Sequence, residues 1–243
     1  MDNIGIVDTT TSTFSTIDVA AAGVTADGKY IGAAAVGGKV YFGPYYQDNV
    51  GVLDIATSAF STIGTASAGV SGVKKYGGTA AVGTNVYFAP CAMGNVGMLD
   101  TTTSTFTTID TEAAGISGYS ENAWRYLGAV ALGGKVYFSP TNQEGIGAVD
   151  AASSTFSTID VTAAGAIGNY KYQGAPAVLG TTVYFAPYLQ DNVGLLALPA
   201  PPSPPPPSPP QPSPPPQPPS SPPPPSSPVR AGDDPTFVGA DAN

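Results

Sequence analysis

The sequence contains no histidine, so the side chain most often used as a general base and as a metal ligand near neutral pH is missing. It has one cysteine, Cys91, which excludes an internal disulfide. A small apolar filler is the plain reading of that residue, with an intermolecular bridge or a reactive thiol as alternatives. Charge is scarce: 10% of residues are charged, with eight Lys and Arg against 17 Asp and Glu, for a net −9. Nucleic acid and anionic membrane surfaces both require clustered cations, so neither is expected as a partner. No apolar run approaches the ~18 residues of a membrane span. No leader segment is expected in these residues, because Met1-Asp2-Asn3 stands where Gln47-Asp48-Asn49 stands in the next copy of a repeat. An exported protein of this sequence would be a mature form or a piece of a longer precursor. Asn-x-Ser/Thr sequons are absent, so N-linked glycans are not expected. Sustained 3.6-residue periodicity is absent too, so helix should be scarce.

What fills the first 198 residues is repetition. Asn3-Ile-Gly-Ile-Val-Asp8 returns at Asn49, Asn95, Gly145 and Asn192, at spacings of 46, 46, 50 and 47 residues. Val-Tyr-Phe-x-Pro begins at Val40, Val86, Val136 and Val183, and Phe-Ser/Thr-Thr-Ile at Phe14, Phe60, Phe106 and Phe156. A basic-Tyr-x-Gly segment begins at Lys29, Lys75, Arg125 and Lys171. Each unit reads as four short strands. Strand a is the apolar run after Tyr-x-Gly, such as Ala33 to Val36, and a Gly-Gly or Gly-Thr turn follows it. Strand b is Lys-Val-Tyr-Phe, rich in β-branched and aromatic residues and stopped by proline. Strand c is Val-Gly-Val-Leu. Strand d is Thr-Phe-Ser-Thr-Ile, whose polar face suits an outer edge.

Four strands per ~45 residues is the arithmetic of a β-propeller blade. The expected fold is therefore all-β, a propeller of four blades with four antiparallel strands each. The chain opens with a c–d pair and closes with a–b–c, so the N-terminal strand d is expected to complete the last blade. In period and in Gly/Tyr/Phe content, residues 1–198 resemble kelch-like propeller repeats, although the kelch Gly-Gly doublet and tryptophan are not reproduced in register. The third inter-repeat segment, Gly118 to Arg125, carries extra residues and the sole tryptophan, Trp124, either as a binding feature or as a cap on the hydrophobic rim.

Composition changes abruptly at Pro199. Residues 199–228 hold 20 of the chain's 26 prolines, and fixed φ with missing donors makes polyproline II the expected conformation. At ~3.1 Å per residue the tract would span on the order of 90 Å as a semi-rigid spacer. Its Ser-Pro-Pro-Pro-Pro runs, at Ser203 and Ser221, resemble the hydroxyproline-rich glycoproteins of plant and green-algal cell walls, the extensin and pherophorin type. That resemblance implies hydroxylation and O-linked sugars at Pro204, Pro205, Pro206, Pro207, Pro222, Pro223, Pro224 and Pro225, with galactose on serines such as Ser203, Ser208 and Ser213. A bare linker or an SH3/WW ligand is the competing reading, and Arg230 alone supplies a flanking cation. Residues 229–243 form a tail in which Thr236-Phe237-Val238-Gly-Ala-Asp241 follows the frame of Thr13-Phe-Ser-Thr-Ile-Asp18. A strand donated through Thr236, Phe237, Val238 and Asp241 to another molecule would join copies head to tail.

Chemistry-bearing motifs are few. No Gly-x-Ser-x-Gly elbow and no phosphate loop occur, and Asp8, Asp54, Asp100 and Asp150 recur with the repeat, as structural positions do. The sequence reads as non-enzymatic, with no catalytic residue, cofactor or metal site. The distinctive polar set is Lys29-Tyr30, Lys75-Tyr76, Arg125-Tyr126 and Lys171-Tyr172, which uses four of the eight basic residues. Propeller symmetry places the four pairs at one end. There they would bind an acidic sugar, or each cation would pair with the Asp that ends a nearby strand c while each Tyr seals a blade junction. Low charge with abundant Thr, Ser, Ala and Gly suits an extracellular, glycan-coated protein. The expected function is a structural glycoprotein of a fibril, cell wall or surface layer that assembles with itself head to tail. The alternative is a propeller lectin or adhesion module on a glycosylated stalk.

Overall fold

The structure, a computed structural model, describes residues 2–25 and 27–199. The modification sites expected from Ser203 to Pro225 and the donated strand expected at Thr236–Asp241 lie outside the described residues. The fold is all-β, 50% strand and 6% helix. The N-terminal hairpin pairs β1 (Asn3–Asp8) with β2 (Thr13–Asp18). Three complete antiparallel sheets follow. The first is β3 (Tyr30–Val36), β4 (Lys39–Pro44), β5 (Asn49–Asp54) and β6 (Phe60–Gly64). The second is β7 (Tyr76–Val82), β8 (Asn85–Pro90), β9 (Asn95–Asp100) and β10 (Thr105–Asp110). The third is β11 (Tyr126–Leu132), β12 (Lys135–Pro140), β13 (Gly145–Asp150) and β14 (Thr155–Asp160). A three-stranded sheet of β15 (Ala177–Leu179), β16 (Thr182–Phe185) and β17 (Gly194–Ala197) ends the described part. These sheets are propeller blades, ordered a-b-c-d from the inner strand outward.

Local chemistry sets each blade. The a–b hairpin turns on two residues, and in Gly37-Gly38 and Gly133-Gly134 both lie at positive φ, from 56° to 77°, the geometry that a twisted two-residue hairpin demands. Strand a begins earlier than the apolar run suggests, at the tyrosine. It carries a bulge between Tyr30 and Ala33, Tyr76 and Thr79, and Tyr126 and Ala129. The Gly of Tyr-x-Gly sits in that bulge because neighbouring inner strands approach backbone to backbone: a Cβ on Gly128 would lie 1.8 Å from the Gly174 carbonyl oxygen. The c–d hairpin turns on an Asp whose Oδ1 accepts N–H groups two and three residues on, from Thr10 and Thr11 at Asp8 and from Thr102 and Thr103 at Asp100. A serine at positive φ, Ser12, Ser58, Ser104 or Ser154, completes that turn. The little helix present consists of single 3-10 turns such as Ala66–Ala68, each following strand d.

Inside each complete blade three rings meet, contributed by strands a, b and d. Tyr76, Phe88 and Phe106 lie 5.8–6.2 Å apart between centroids, and Tyr30–Phe42–Phe60 and Tyr126–Phe138–Phe156 repeat the arrangement. Strand c passes beneath them with glycine because nothing larger fits: a Cβ on Gly97 would stand 2.8 Å from Phe106 and 3.0 Å from Tyr76. The rest of the core lies between blades. One cluster joins Tyr41, Val50 and Val52 of the first blade to Val86, Phe88 and Leu99 of the second. A second joins Tyr87 and Val96 to Val136 and Phe138, and a third joins Tyr137 and Ile146 to Val183 and Phe185.

The inner strands stand side by side in the order β3, β7, β11, β15, but the row is open. The first five residues of β7 are buried, whereas all three of β15 are exposed. The expectation that the N-terminal strand d completes the last blade is not met: β2 pairs with β1 over six residues, and β17 has no outer neighbour among the described residues.

Candidate functional site

The basic-Tyr pairs sit at the blade junctions, and one backbone feature aims all of them. The residue before each cation has positive φ: Gly28 at 59°, Lys74 at 54°, Trp124 at 45° and Tyr170 at 54°. Three of these are bulky residues in a region they rarely occupy. This turn directs the cation onto the preceding blade. The fully buried Lys75 Nζ lies 3.0 Å from Asp48 Oδ1 and also donates to the Gly72 carbonyl. Burial holds its pKa below the usual lysine value, with Asp48 opposing that shift. Lys171 is buried in the same way, donates to the Gly168 carbonyl at 2.7 Å, and is likewise lowered by burial, with Glu144 opposing. Lys29 lies 2.7 Å from Asp2 Oδ1, and that bond holds Asp2 below the usual carboxylate value.

Arg125 departs from the pattern for a visible reason. In four of the five copies an acid precedes strand c: Asp2, Asp48, Glu144 and Asp191. The copy facing Arg125 has Gly94 there, and a Cβ on Gly94 would collide with Ser117 and Gly118 at 2.4 Å. The guanidinium, with its fixed fork of donors, reaches carbonyls instead. Nη1 donates to Ala92 and Met93 at 2.6 and 3.1 Å, and Nη2 to Ser117 and Gly118 at 3.0 and 3.3 Å. The expected pairing of cations with the Asp that ends strand c is therefore corrected. Those Asp residues are occupied in hairpin turns. The partners are the acid or carbonyl groups before strand c of the preceding blade, for Lys29, Lys75 and Arg125, and carbonyls of the loop that follows its strand d, for Lys75, Arg125 and Lys171.

The main chain of the same residues forms a continuous line of hydrogen bonds through the blades. Tyr45 N–H donates to Lys29 C=O, Lys75 to Tyr45, Cys91 to Lys75, Arg125 to Cys91, Thr141 to Arg125, Lys171 to Thr141, and Tyr188 to Lys171, all at 2.9–3.1 Å. Cys91 is fully buried within this line, and burial pushes its thiol up to about 12, which makes it inert.

The tyrosines face their own blades. Tyr30, Tyr76 and Tyr172 donate to Asn49, Asn95 and Asn192 Oδ1 at 2.5, 2.8 and 2.9 Å, and burial raises all three phenols. Tyr126 has no such partner, because Gly145 stands where the other copies have Asn. Its hydroxyl is buried and has no hydrogen-bond partner among the described residues. Trp124 is half-buried, and Lys74 Nζ stands 5.1 Å from its ring while pairing with Glu121 at 3.2 Å. A polar cleft of about 440 Å³, lined among others by Asn142, Gln143, Glu144 and Asp160, contains none of the eight basic-Tyr residues. A cavity of about 410 Å³ opens beside Lys29 and Tyr30, between them and Asn3, Ile4 and Gly5.

Two of these features escaped the sequence reading. The positive-φ position has no residue-type signature, since Gly, Lys, Trp and Tyr all occupy it. The cation's partner was signalled, in the recurring acid one residue before strand c and in Arg appearing only where that acid is missing.

No protein-family model and no curated protein sequence matches the chain. Solved structures do match. Virginiamycin B lyase from Staphylococcus aureus aligns with TM-score 0.60 and 12% identity, covering 81% of this chain and 60% of that one. Kuenenia stuttgartiensis hydrazine synthase aligns with TM-score 0.51 and 12% identity, over 72% of this chain and 47% of that one. The extracellular domain of a one-component system from B. thetaiotaomicron aligns with TM-score 0.50 and 13% identity, over 82% of this chain and 27% of that one. The chain thus spans less than two thirds of each, and the likeness establishes the β-propeller fold. It also corrects the reading of the chain as non-enzymatic. An enzyme is built on this fold, function resides in sites grafted onto a scaffold, and neither the missing histidine nor repeat-symmetric carboxylates exclude catalysis. Among the described residues no helix is long and apolar enough to cross a membrane.

Proposed function

We propose that the chain is an extracellular structural glycoprotein, a building block of a fibril, cell wall or surface layer. In this reading the kelch-like propeller is a rigid bead. The proline tract, of extensin or pherophorin type, is a hydroxylated and O-glycosylated strut, and copies associate with one another. The observation that carries the reading is the use of the four cations as ties: each binds groups of the preceding blade or of the loop leading from it, and the aromatic face of each tyrosine packs on rings of its own blade. A chain that commits half of its scarce cations to internal cohesion is built as a mechanical part. The tail at Thr236–Asp241, with Phe237 in the strand d frame, is a further contact in this scheme. Intact-mass measurement of native protein tests the reading. The expected result is a large excess over 24.3 kDa that maps to residues 199–228, with filaments or layers visible by electron microscopy. An unmodified, monomeric protein would overturn it.

A second reading, a lectin or adhesion module, is favoured by the polar cleft at Asn142–Glu144 and by the cavity at Lys29 and Tyr30, where one basic-Tyr pair is open enough to meet a sugar. Binding to a glycan array that is lost in Glu144→Ala or Lys29→Gln would select it.

A further inference from the structure

We infer that the open last blade is completed by the β1–β2 hairpin of a second copy, which displaces the short β17 from its four-residue pairing with β16 and takes the third and fourth strand positions beside β15 and β16. The inference deepens the self-assembling scaffold reading and rests on it.

The two ends of the blade row hold complementary parts of one blade. Tyr172 and Phe185 lie 6.1 Å apart between centroids, as the first two rings do in every complete blade, and no third ring joins them among the described residues. Phe14, the strand d ring of the N-terminal hairpin, is 68% exposed, whereas Phe106 at the same position of the second blade is 4% exposed. The ring set is thus divided two and one between the ends. The strands divide in the same way: β1 and β2 are a c–d pair without a and b, and the last blade has a, b and a short c. That c strand is short, four residues paired with β16, and it departs from the repeat. It ends at Ala197 where the other four copies have Asp. Its Val193 is 55% exposed, whereas Val50 and Val96 at the same position are fully buried. β1 keeps the full pattern from Asn3 to Asp8 and holds β2 through six paired residues.

The junction chemistry gives the register. Lys29 already grips Asp2, the acid before β1, as Lys75 grips Asp48 of the blade before its own. The hairpin is therefore the outer half of a blade preceding the first, and the cavity of about 410 Å³ beside Asn3, Gly5 and Lys29 marks the side where its inner half is missing. The backbone line ends at Tyr188 C=O and begins at Lys29 N–H, and neither has a hydrogen-bond partner among the described residues. With β15 and β16 of one copy beside β1 of another, Lys29 N–H meets Tyr188 C=O and the line continues. Pairing like that of β12 with β13, where Lys135 faces Asp150 and Phe138 faces Gly147, sets Thr182 opposite Asp8, and Phe185 opposite Gly5, of the second copy. The hairpin's own chain holds it against the first blade, at the opposite end of the row from β15. Two copies joined at both ends contain three complete blades and one composite blade each, which makes eight, within the range in which propellers close. An exchanged element of this kind is a low-cost route to association.

The test uses the full chain. Asp8→Cys and Thr182→Cys variants are mixed under oxidising conditions, and the expected product is a mixed disulfide between the two. Buried Cys91 does not compete. In parallel, Phe14→Ser, which alters an exposed side chain, is measured by light scattering after gel filtration, and its mass is expected to fall to half that of the parent. Absence of the mixed disulfide overturns the inference. So does a double Asp8→Cys, Thr182→Cys chain that closes on itself as a monomer, because the chain's own hairpin would then fill the blade. So does assembly that survives Phe14→Ser and is lost on removing residues 236–243, which would give the position to the tail. A mixed disulfide together with a halved mass supports the inference. If the disulfide fails while the glycosylated chain still assembles, the scaffold reading stands and the composite blade alone is refuted.

Discussion

Removing the same hydroxyl from two equivalent tyrosines should change stability in opposite directions. Tyr76 donates to Asn95 at 2.8 Å. Tyr76→Phe deletes that bond and strips the Asn95 carbonyl of its partner, a loss of about 0.5–1.5 kcal/mol. The Tyr126 hydroxyl is just as deeply placed and has no partner among the described residues, so the folded state carries its desolvation cost, about 1–3 kcal/mol. Tyr126→Phe removes that cost and leaves the ring packed on Phe138 and Phe156, so a gain of about 1 kcal/mol is expected. For a domain of this size 1 kcal/mol moves Tm by about 2–4 °C, well within calorimetric resolution. The third arm restores the missing partner. Gly145→Asn recreates the residue found in the other copies, but its Cβ would stand 3.1 Å from Ile159 O and Thr158 Cβ, which offsets part of the new bond. Its effect should therefore be more favourable with Tyr126 present than in the Tyr126→Phe background. If Tyr126→Phe lowers Tm as much as Tyr76→Phe does, the account of the orphaned hydroxyl is wrong.

Other consequences are open to the same assays. Arg125→Lys keeps the charge but loses the fork that spans four carbonyls, and a loss of about 1–3 kcal/mol is expected in denaturant titrations. Ser104 sits at φ 56°, so Ser104→Val should cost about 1–2 kcal/mol while Ser104→Gly costs nothing measurable. In acid, Asp8, Asp54 and Asp160 are held below 3.8, first by backbone N–H groups. The stability they contribute is present above 3.8 and is lost as pH falls through their folded values. On the alkaline side two effects oppose. Buried Lys75 and Lys171 titrate below 10.5 when folded, so their destabilising contribution fades as pH rises towards 10.5. Tyr30, Tyr76 and Tyr126 titrate above 10 when folded, so the stability they contribute is full below 10 and declines above it. Tm should peak between neutrality and pH 10, and Lys75→Gln should flatten the rise.

Much of the architecture was legible because the repeat states it several times over. The four-strand unit, the Gly-Gly hairpins and the outer position of strand d all follow from residues such as Gly37, Pro44 and Thr62, whose neighbours are a few positions away in sequence. What stayed hidden depends on the adjoining blade. Lys75 is tied to Asp48, 27 positions back, and nothing local to Lys75 announces that acid. The turn before each cation is imposed by the junction on Lys74, Trp124 and Tyr170 against their own preference, so propensity points away from it. The open row was the least legible feature. Counting strands assigns β2 to the last blade equally well whether the ends meet or stand apart, and only the exposure of Phe14, Val193 and the β15 residues separates the two.

The chain of amides from Lys29 to Tyr188 runs in one direction: every step donates backwards, from the later residue to the earlier. The small dipoles therefore add along the row instead of cancelling, with an N–H at the Lys29 end and an oxygen at the Tyr188 end. Such a row is vectorial. Two like ends brought together would oppose donor to donor or oxygen to oxygen, so the molecule carries in its main chain a polarity that forbids mirror-fashion pairing and fixes the sense in which any added unit must face.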